Sequence, residues 1–231
     1  MLTGLMAAAF LLTAPPTQAG SVKASLANAR KLVRKNKLPE ALAELKQAIQ
    51  LNPQSAQAHW EMARTLATVR AAGTACEHGA QRAVILRHLF KACRLHPRYK
   101  RQLRREKLFR PIQDAFAWQG LVGLKVGATD QTERILRAVT WYGPLDETKQ
   151  PSSGIDFRAK GRLVIWVRDE GSELGRKDML GRYRVSRQRV IVTLDKQLGD
   201  TKEAQGELKL TGELWLPGLP GPFSDDPGEC Q

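Results

Sequence analysis

Through the first half of the chain apolar residues recur at three- and four-residue intervals; in the second half they alternate with polar ones. The helical spacing is clearest at Leu38, Ala41, Leu42, Leu45, Ala48 and Ile49. Pro39 stands near the start of that run, where a missing N–H costs nothing, and Leu51-Asn52-Pro53 ends it. Upstream, Ser21 is placed to cap a helix passing through Leu26, Ala29 and Leu32 to about Asn36. Asn36-Lys37 then reads as a tight turn between two antiparallel helices. A third helix is expected from Ser55 through Trp60, Ala63 and Leu66 to about Arg70.

These helix pairs resemble the tetratricopeptide repeat (TPR), a helix–turn–helix unit of about 34 residues. With the motif's terminal Pro set at Pro53, its small positions fall on Ala29, Ala41 and Ala48 and its bulky ones on Leu32 and Leu45. A second unit begins at Ala56, with Met62-Ala63 where the family prefers Leu-Gly and Leu66 at its Tyr position. Asn28 occupies the usual Leu position of the first unit. The second unit's closing pattern is displaced to Leu89, Ala92, Leu95 and Pro97, which implies an insert around Ala72-Gly73-Thr74 and Gly79. Two units are therefore visible, over about 22–97, and a stack of two leaves an apolar end exposed. The stretch from Tyr99 to Leu121 is the expected cap, through Leu108, Phe109, Ile112 and Phe116, with Pro111 opening a last helix.

From Thr140 the chain becomes short alternating runs separated by Gly-containing turns. Strands are expected at 155–158, 162–168, 181–186, 189–194, 207–210 and 213–216. Leu163, Ile165 and Val167 point one way, as do Val190, Val192 and Leu194. The links are short enough for hairpins, so the strands form an antiparallel meander. Gly181-Arg182-Tyr183-Arg184-Val185 followed by Arg189-Val190-Ile191-Val192 resembles small lipocalin-like β-domains, and no ligand is carried over from that likeness.

The expected fold class is α+β: an N-terminal antiparallel helix-pair module of TPR type, then a small antiparallel β-meander. The expected limits are a signal peptide at 1–19, a helical module with capping helix at 20–123 and a connecting segment at 124–137. A β-domain at 138–220 and an irregular acidic tail at 221–231 follow. The signal peptide is read from the uncharged run Leu2 to Thr13, too short to span a bilayer, followed by Thr17-Gln18-Ala19-Gly20. Processing after Ala19 would place the chain in the periplasm or outside the cell.

Charge sharpens the picture. The chain has 37 basic and 23 acidic residues, a formal net charge of +14, and so attracts anionic partners. An acidic protein is the first expectation; an anionic polymer or lipid headgroup is the alternative, and export weighs against nucleic acid. Between 82 and 110 lie Arg82, Arg87, Lys91, Arg94, Arg98, Lys100, Arg101, Arg104, Arg105, Lys107 and Arg110, with Glu106 the one acid. Arg87, Lys91 and Arg94 share a helix face, either a solvated face or a docking stripe. The TPR resemblance further implies a concave binding surface lined by the first helix of each unit, here including Lys31, Arg34, His59 and Arg64.

Three cysteines are present. An exported chain favours a disulfide between Cys76 and Cys93; free thiols remain open, as does a zinc site of Cys76, His78, Cys93 and His96. No nucleophile elbow, phosphate loop or zinc-protease helix occurs, and the acid pairs Asp169-Glu170 and Asp225-Asp226 sit beside Gly or Pro as turn residues do. The sequence thus reads as a non-enzymatic interaction scaffold without cofactor or metal. The rival is an envelope protein that holds a small molecule, lipid or anionic polymer through its β-domain or basic surface.

Overall fold

The computed structural model describes residues 17–172, 175–225, 227, 228 and 230. The expected signal peptide lies largely outside these residues. The first four helices are α1 (Thr17–Arg34), α2 (Leu38–Leu51), α3 (Ala56–Ala71) and α4 (Arg82–Leu95). Each packs chiefly on a neighbour in sequence, α1 with α2 and α3 with α4. Ser21 lies inside α1 rather than at its cap, because the helix already begins at Thr17. Asn36 turns the chain with φ of 56°, a left-handed conformation that Asn tolerates after a helix, and Lys37 N–H bonds back to Leu32 O at 2.9 Å. Ser55 caps α3, its hydroxyl accepting the Ala58 N–H at 3.2 Å. Ala29, Ala41, Ala48, Ala58 and Ala63 are all essentially inaccessible, so helices approach closely at these positions while Leu42, Leu45 and Leu66 interdigitate. The expected insert is the loop 72–81 between α3 and α4.

The cap is assembled from short pieces. After α5 (Arg98–Leu103) comes a 3-10 turn, Lys107–Ile112, and then α6 (Phe116–Leu121). Pro111 does not open the last helix, because it lies within the 3-10 turn. Trp60 of α3 stacks on Tyr99 at 4.8 Å between centroids and meets Phe109 edge-on at 5.5 Å. Phe109, Ile112 and Leu103 are fully buried there, each worth about 1.5–3 kcal/mol of transfer free energy. Phe116 departs from the expectation. It packs on the second half of the molecule, with its ring 6.4 Å from that of Trp141 and against Gly212, where an added Cβ would meet it at 2.5 Å.

That half consists of α7 (Thr129–Ala138) and a consecutive antiparallel sheet: β1 (Trp141–Tyr142), β2 (Ser153–Arg158), β3 (Arg162–Arg168), β4 (Arg176–Ser186), β5 (Arg189–Leu198), β6 (Thr201–Leu208) and β7 (Leu214–Trp215). Leu163, Ile165, Val190, Val192 and Leu194 are at most 1% exposed on its inner face, as their alternation implies. Ile135 and Leu136 of α7 join the same core, and Trp141 donates its indole N–H to Leu136 O at 2.9 Å. These side chains form one buried apolar cluster. β6 starts earlier than the sequence pattern suggests, because Thr201-Lys202-Glu203-Ala204-Gln205 contributes only Ala204 to the core and shows no alternation.

The tail is not irregular throughout. Phe223 exchanges both backbone hydrogen bonds with Leu214 of β7 (2.8 and 2.9 Å), and Ser224 both with Tyr142 of β1 (2.7 and 2.8 Å). These two residues join the edge strands and close the curled sheet on itself, with Phe223 fully buried. Asp225 then accepts the Phe116 N–H at the start of α6, 2.8 Å away. Further on, Cys230 is disulfide-bonded to Cys76 in the loop between α3 and α4, 154 residues back in sequence. The end of the chain thus laces the β-barrel to the repeat.

Candidate protein-binding site

α1 and α3, the first helices of the two units, flank a groove of about 290 Å³. Ala29 and Val33 of α1, Leu45 of α2 and Leu108 of the cap supply its apolar floor. Arg30 and Arg34 come from α1, and Glu61, Arg64, Thr65 and Thr68 from α3. These positions fall three and four apart on each helix, so one face of each looks into the groove. The hydroxyls of Thr65 and Thr68 donate to carbonyls one turn back, at 2.9 and 3.1 Å. Thr68, the more exposed of the two, keeps lone pairs that can accept from a ligand.

The groove carries a charge network. Glu61, with a side chain only 14% exposed, accepts Arg30 Nε and NH2 on one oxygen at 2.9 and 2.7 Å. Its other oxygen takes Arg64 NH1 at 3.4 Å. Arg64 Nε lies 3.3 Å from Glu106 Oε2 but makes no hydrogen bond, so that contact is ionic rather than directional. Pairs of this kind contribute about 0–1 kcal/mol each. Their effect is to fix two guanidinium groups across the groove. Arg34 stands at its mouth, exposed and in no ion pair among the described residues.

Of the residues the repeat pattern suggests, Arg34 and Arg64 line this groove. Lys31 is exposed and does not line it. His59 is only 6% exposed and faces α4. Its Nδ1 lies 2.9 Å from His88 Nδ1 and its Nε2 3.1 Å from Pro53 O. A carbonyl can only accept, so His59 carries its proton on Nε2 and receives the His88 Nδ1–H on Nδ1. Burial pushes the His88 pKa down to about 4, helped by His59 and Arg87; burial likewise lowers that of His59, with Lys91 adding to it. His59 is a structural residue because its aromatic ring falls on the α3 face that packs against α4. Arg30, outside the set that the repeat pattern suggests, also lines the groove and is held there by Glu61; its four-residue spacing from Arg34 along α1 is the signal for it in the sequence.

The basic run from 82 to 110 divides. Arg82 is largely buried, its side chain 8% exposed and bonded to Asp114 at 3.0 Å, and the other Asp114 oxygen accepts Thr140 Oγ1 at 3.0 Å. Arg98 lies over the Tyr99 ring, 5.1 Å from its centroid, and Arg104 donates to Val122 O at 2.7 Å. Arg87, Lys91 and Arg94 do share one face of α4, beside the exposed Phe90.

The cysteine expectation is corrected. Cys76 bonds to Cys230, not Cys93, because the loop 72–81 faces the returning tail. Cys93 is free and buried on α4, and burial raises its thiol pKa. With Cys76 committed, the Cys76–His78–Cys93–His96 zinc alternative loses a thiolate. No group of three or more His, Cys, Asp or Glu poised for a metal occurs among the described residues. No helix among them is long and apolar enough to cross a membrane.

No curated protein and no solved structure is found to match this chain. Residues 29–68 match the family model described as TPR repeat, and this stretch runs from within α1, through α2, into α3, across the helices that build the groove.

Proposed function

We propose that the chain is an exported, non-catalytic scaffold that holds an extended segment of a protein partner in the α1–α3 groove, with a carboxylate of that segment met by Arg34. The observation that carries this reading is the groove itself. A TPR repeat presents an apolar floor at Val33 and Leu45, two guanidinium groups held by Glu61, and one unpaired guanidinium at the mouth. Binding energy comes from the apolar floor, and the arginines select and steer. The buried apolar cluster inside the barrel, which includes Trp141, Ile155, Leu163 and Phe223, supports the scaffold reading over a small molecule held by the β-domain. Export is supported by the apolar run at Leu2 to Thr13 and by the Cys76–Cys230 disulfide, a bond characteristic of oxidising compartments.

Panning a random peptide library against the intact protein tests the groove. Enriched peptides should carry Asp, Glu or a free C-terminal carboxylate beside an apolar residue. Their affinity should fall about tenfold on Arg34→Glu and on Val33→Asp. Enriched peptides indifferent to both substitutions would overturn the assignment. Mass spectrometry of the exported fraction tests the compartment: the chain should begin at Gly20, and an intact Met1 on cytosolic protein would refute export.

A further inference from the structure

On the opposite side of α3 from the groove, α4 presents Phe90 outward, 46% exposed, among the few large apolar side chains left open to solvent. Phe90 stands over a valley between α4 and α6. One arm of the valley, about 560 Å³, has Cys93, Pro97, Gly120 and Leu121 below and Arg87, Lys91, Arg94 and Lys100 along its rim. A second arm, about 550 Å³, continues from Phe90 past Phe116, Leu124 and Val126 to Leu210, which is 77% exposed. The floor is open at Gly120, where a Cβ would meet nothing within 4 Å. Arg87, Lys91, Arg94 and Lys100 make no ion pair among the described residues. Asp225, which shares a neighbouring hollow with Arg87 and Phe90, is already engaged with the Phe116 N–H.

We propose that this valley is a second docking surface, for an extended acidic segment of a partner protein that seats an aromatic or aliphatic side chain beside Phe90. Charge complementarity selects the occupant: cations without ion pairs along one wall, in a chain of net charge +14, draw an acidic ligand to the apolar floor and repel a basic one. Shape selects a peptide over a membrane. The apolar floor is recessed between helices, and a planar bilayer reaches convex surfaces. Spacing suits an extended strand. Arg87 and Lys91 are about 6 Å apart along the helix axis, close to the roughly 6.7 Å between alternate residues of a β-strand. Acids at alternate positions would therefore face the rim while the residues between them face the floor. The surface is separate from the α1–α3 groove and does not depend on that reading.

The test uses the full-length, disulfide-intact protein and a fluorescein-labelled synthetic peptide alternating aspartate with phenylalanine or leucine, read by fluorescence anisotropy. Two variants separate charge from shape. Arg87→Gln/Lys91→Gln/Arg94→Gln removes the rim, and Gly120→Leu fills the floor in a helical position with ordinary backbone angles, where Leu is a better helix former than Gly. Each should weaken peptide binding about tenfold or more, with the melting temperature of each variant essentially unchanged. The triple variant should also flatten the salt dependence. Because such a peptide also suits the α1–α3 groove, the titrations are repeated in an Arg34→Glu/Val33→Asp background that silences that groove, where both valley variants should show the same loss. If Gly120→Leu binds the peptide as well as the parent, the valley is not the site. If vesicles of phosphatidylcholine and phosphatidylglycerol, or heparin, bind more tightly than the peptide and ignore Gly120→Leu, the basic stripe is an anionic-surface binder and the proposal fails.

Discussion

The two halves of the molecule solve the same problem, an unfinished apolar edge, in opposite ways. The repeat exposes the far side of α3, and the residues that cover it, Tyr99, Leu103, Phe109 and Ile112, follow within a few tens of residues. The β-half leaves the outer edges of β1 and β7 without a neighbouring strand, and what joins them is the pair Phe223–Ser224 near the end of the chain. Closure of the helical half is therefore local, and closure of the barrel waits for the tail. The tail then ties back to the repeat through Asp225 and Cys230, so the stability of each half depends unequally on residues 222–231.

The largest effect should come from the barrel's last piece. Phe223→Ala removes a fully buried ring and loosens the segment that bridges both edges, at a cost of about 3–5 kcal/mol. Hydrogen exchange would show where the loss falls: amides of β1 and β7 should lose protection, while those of α2 and α3 keep theirs. Equal loss in both halves would mean that they unfold as one unit and that the contrast between them is false.

Next comes the covalent tie. Cys230→Ser or Cys76→Ser should lower stability by roughly 2–4 kcal/mol, chiefly by freeing the unfolded chain. Reductant should reproduce the loss in the parent and do nothing further to either variant. Cys93→Ala is the control. Its thiol is buried and unpaired, so the change should cost under about 1.5 kcal/mol and leave sensitivity to reductant intact. If Cys93→Ala instead abolished the response to reductant, the pairing would be the one expected from sequence.

The same contrast explains what could be read from the sequence. The helix periods, the turn at Asn36, the insert after Ala71 and the alternation at Leu163 and Val190 are signals carried by neighbours in the chain, and all are legible there. Phe223–Ser224 is two residues long in a Pro- and Gly-rich stretch, too short for any period, and its partners are far away in sequence. The Cys76–Cys230 bond follows from that same return of the tail, which no spacing encodes. At the groove, Arg34 and Arg64 were legible from the repeat pattern because the first helices of TPR units line the concave side. His59 was not separable from them, since its position on α3 turns toward α4 only once the pair is packed.

A third, smaller effect probes the helical half alone. His88 is held near pKa 4 in the folded state against about 6.5 unfolded, and His59 is shifted the same way. Each therefore binds fewer protons when folded. Stability is full above about pH 6.5, falls as pH drops towards 4, and changes no further from this source below that. The His88 contribution amounts to at most about 3 kcal/mol. Denaturant midpoints at pH 7 and pH 4.5 for the parent and His88→Gln would isolate it. The variant should show the smaller acid loss, since other titrating groups act on both proteins alike. An identical acid loss in the two would remove the histidine pair as its cause.

The smallest change in stability should come with a clear change in binding. Glu61 holds Arg30 and Arg64 across the α1–α3 groove, and its side chain is 14% exposed, whereas barrel pairs such as Arg158 with Asp156 stand on an open surface. Glu61→Gln keeps the shape and removes the charge. Because exposed arginines remain solvated without a partner, folding should weaken by only about 1 kcal/mol. The groove, however, loses the one acid that lines it among the described residues and keeps Arg30, Arg34 and Arg64. Acidic peptides enriched against the parent should then bind the variant more tightly at low salt, with a steeper salt dependence, because the added term is purely coulombic and screened over about 10 Å at 0.1 M. Asp156→Asn, the matching change on the barrel, should leave both quantities alone. If Glu61→Gln instead weakened peptide binding, Glu61 would be a ligand-contacting acceptor or the clamp that positions the arginines, and geometry rather than net charge would govern the groove.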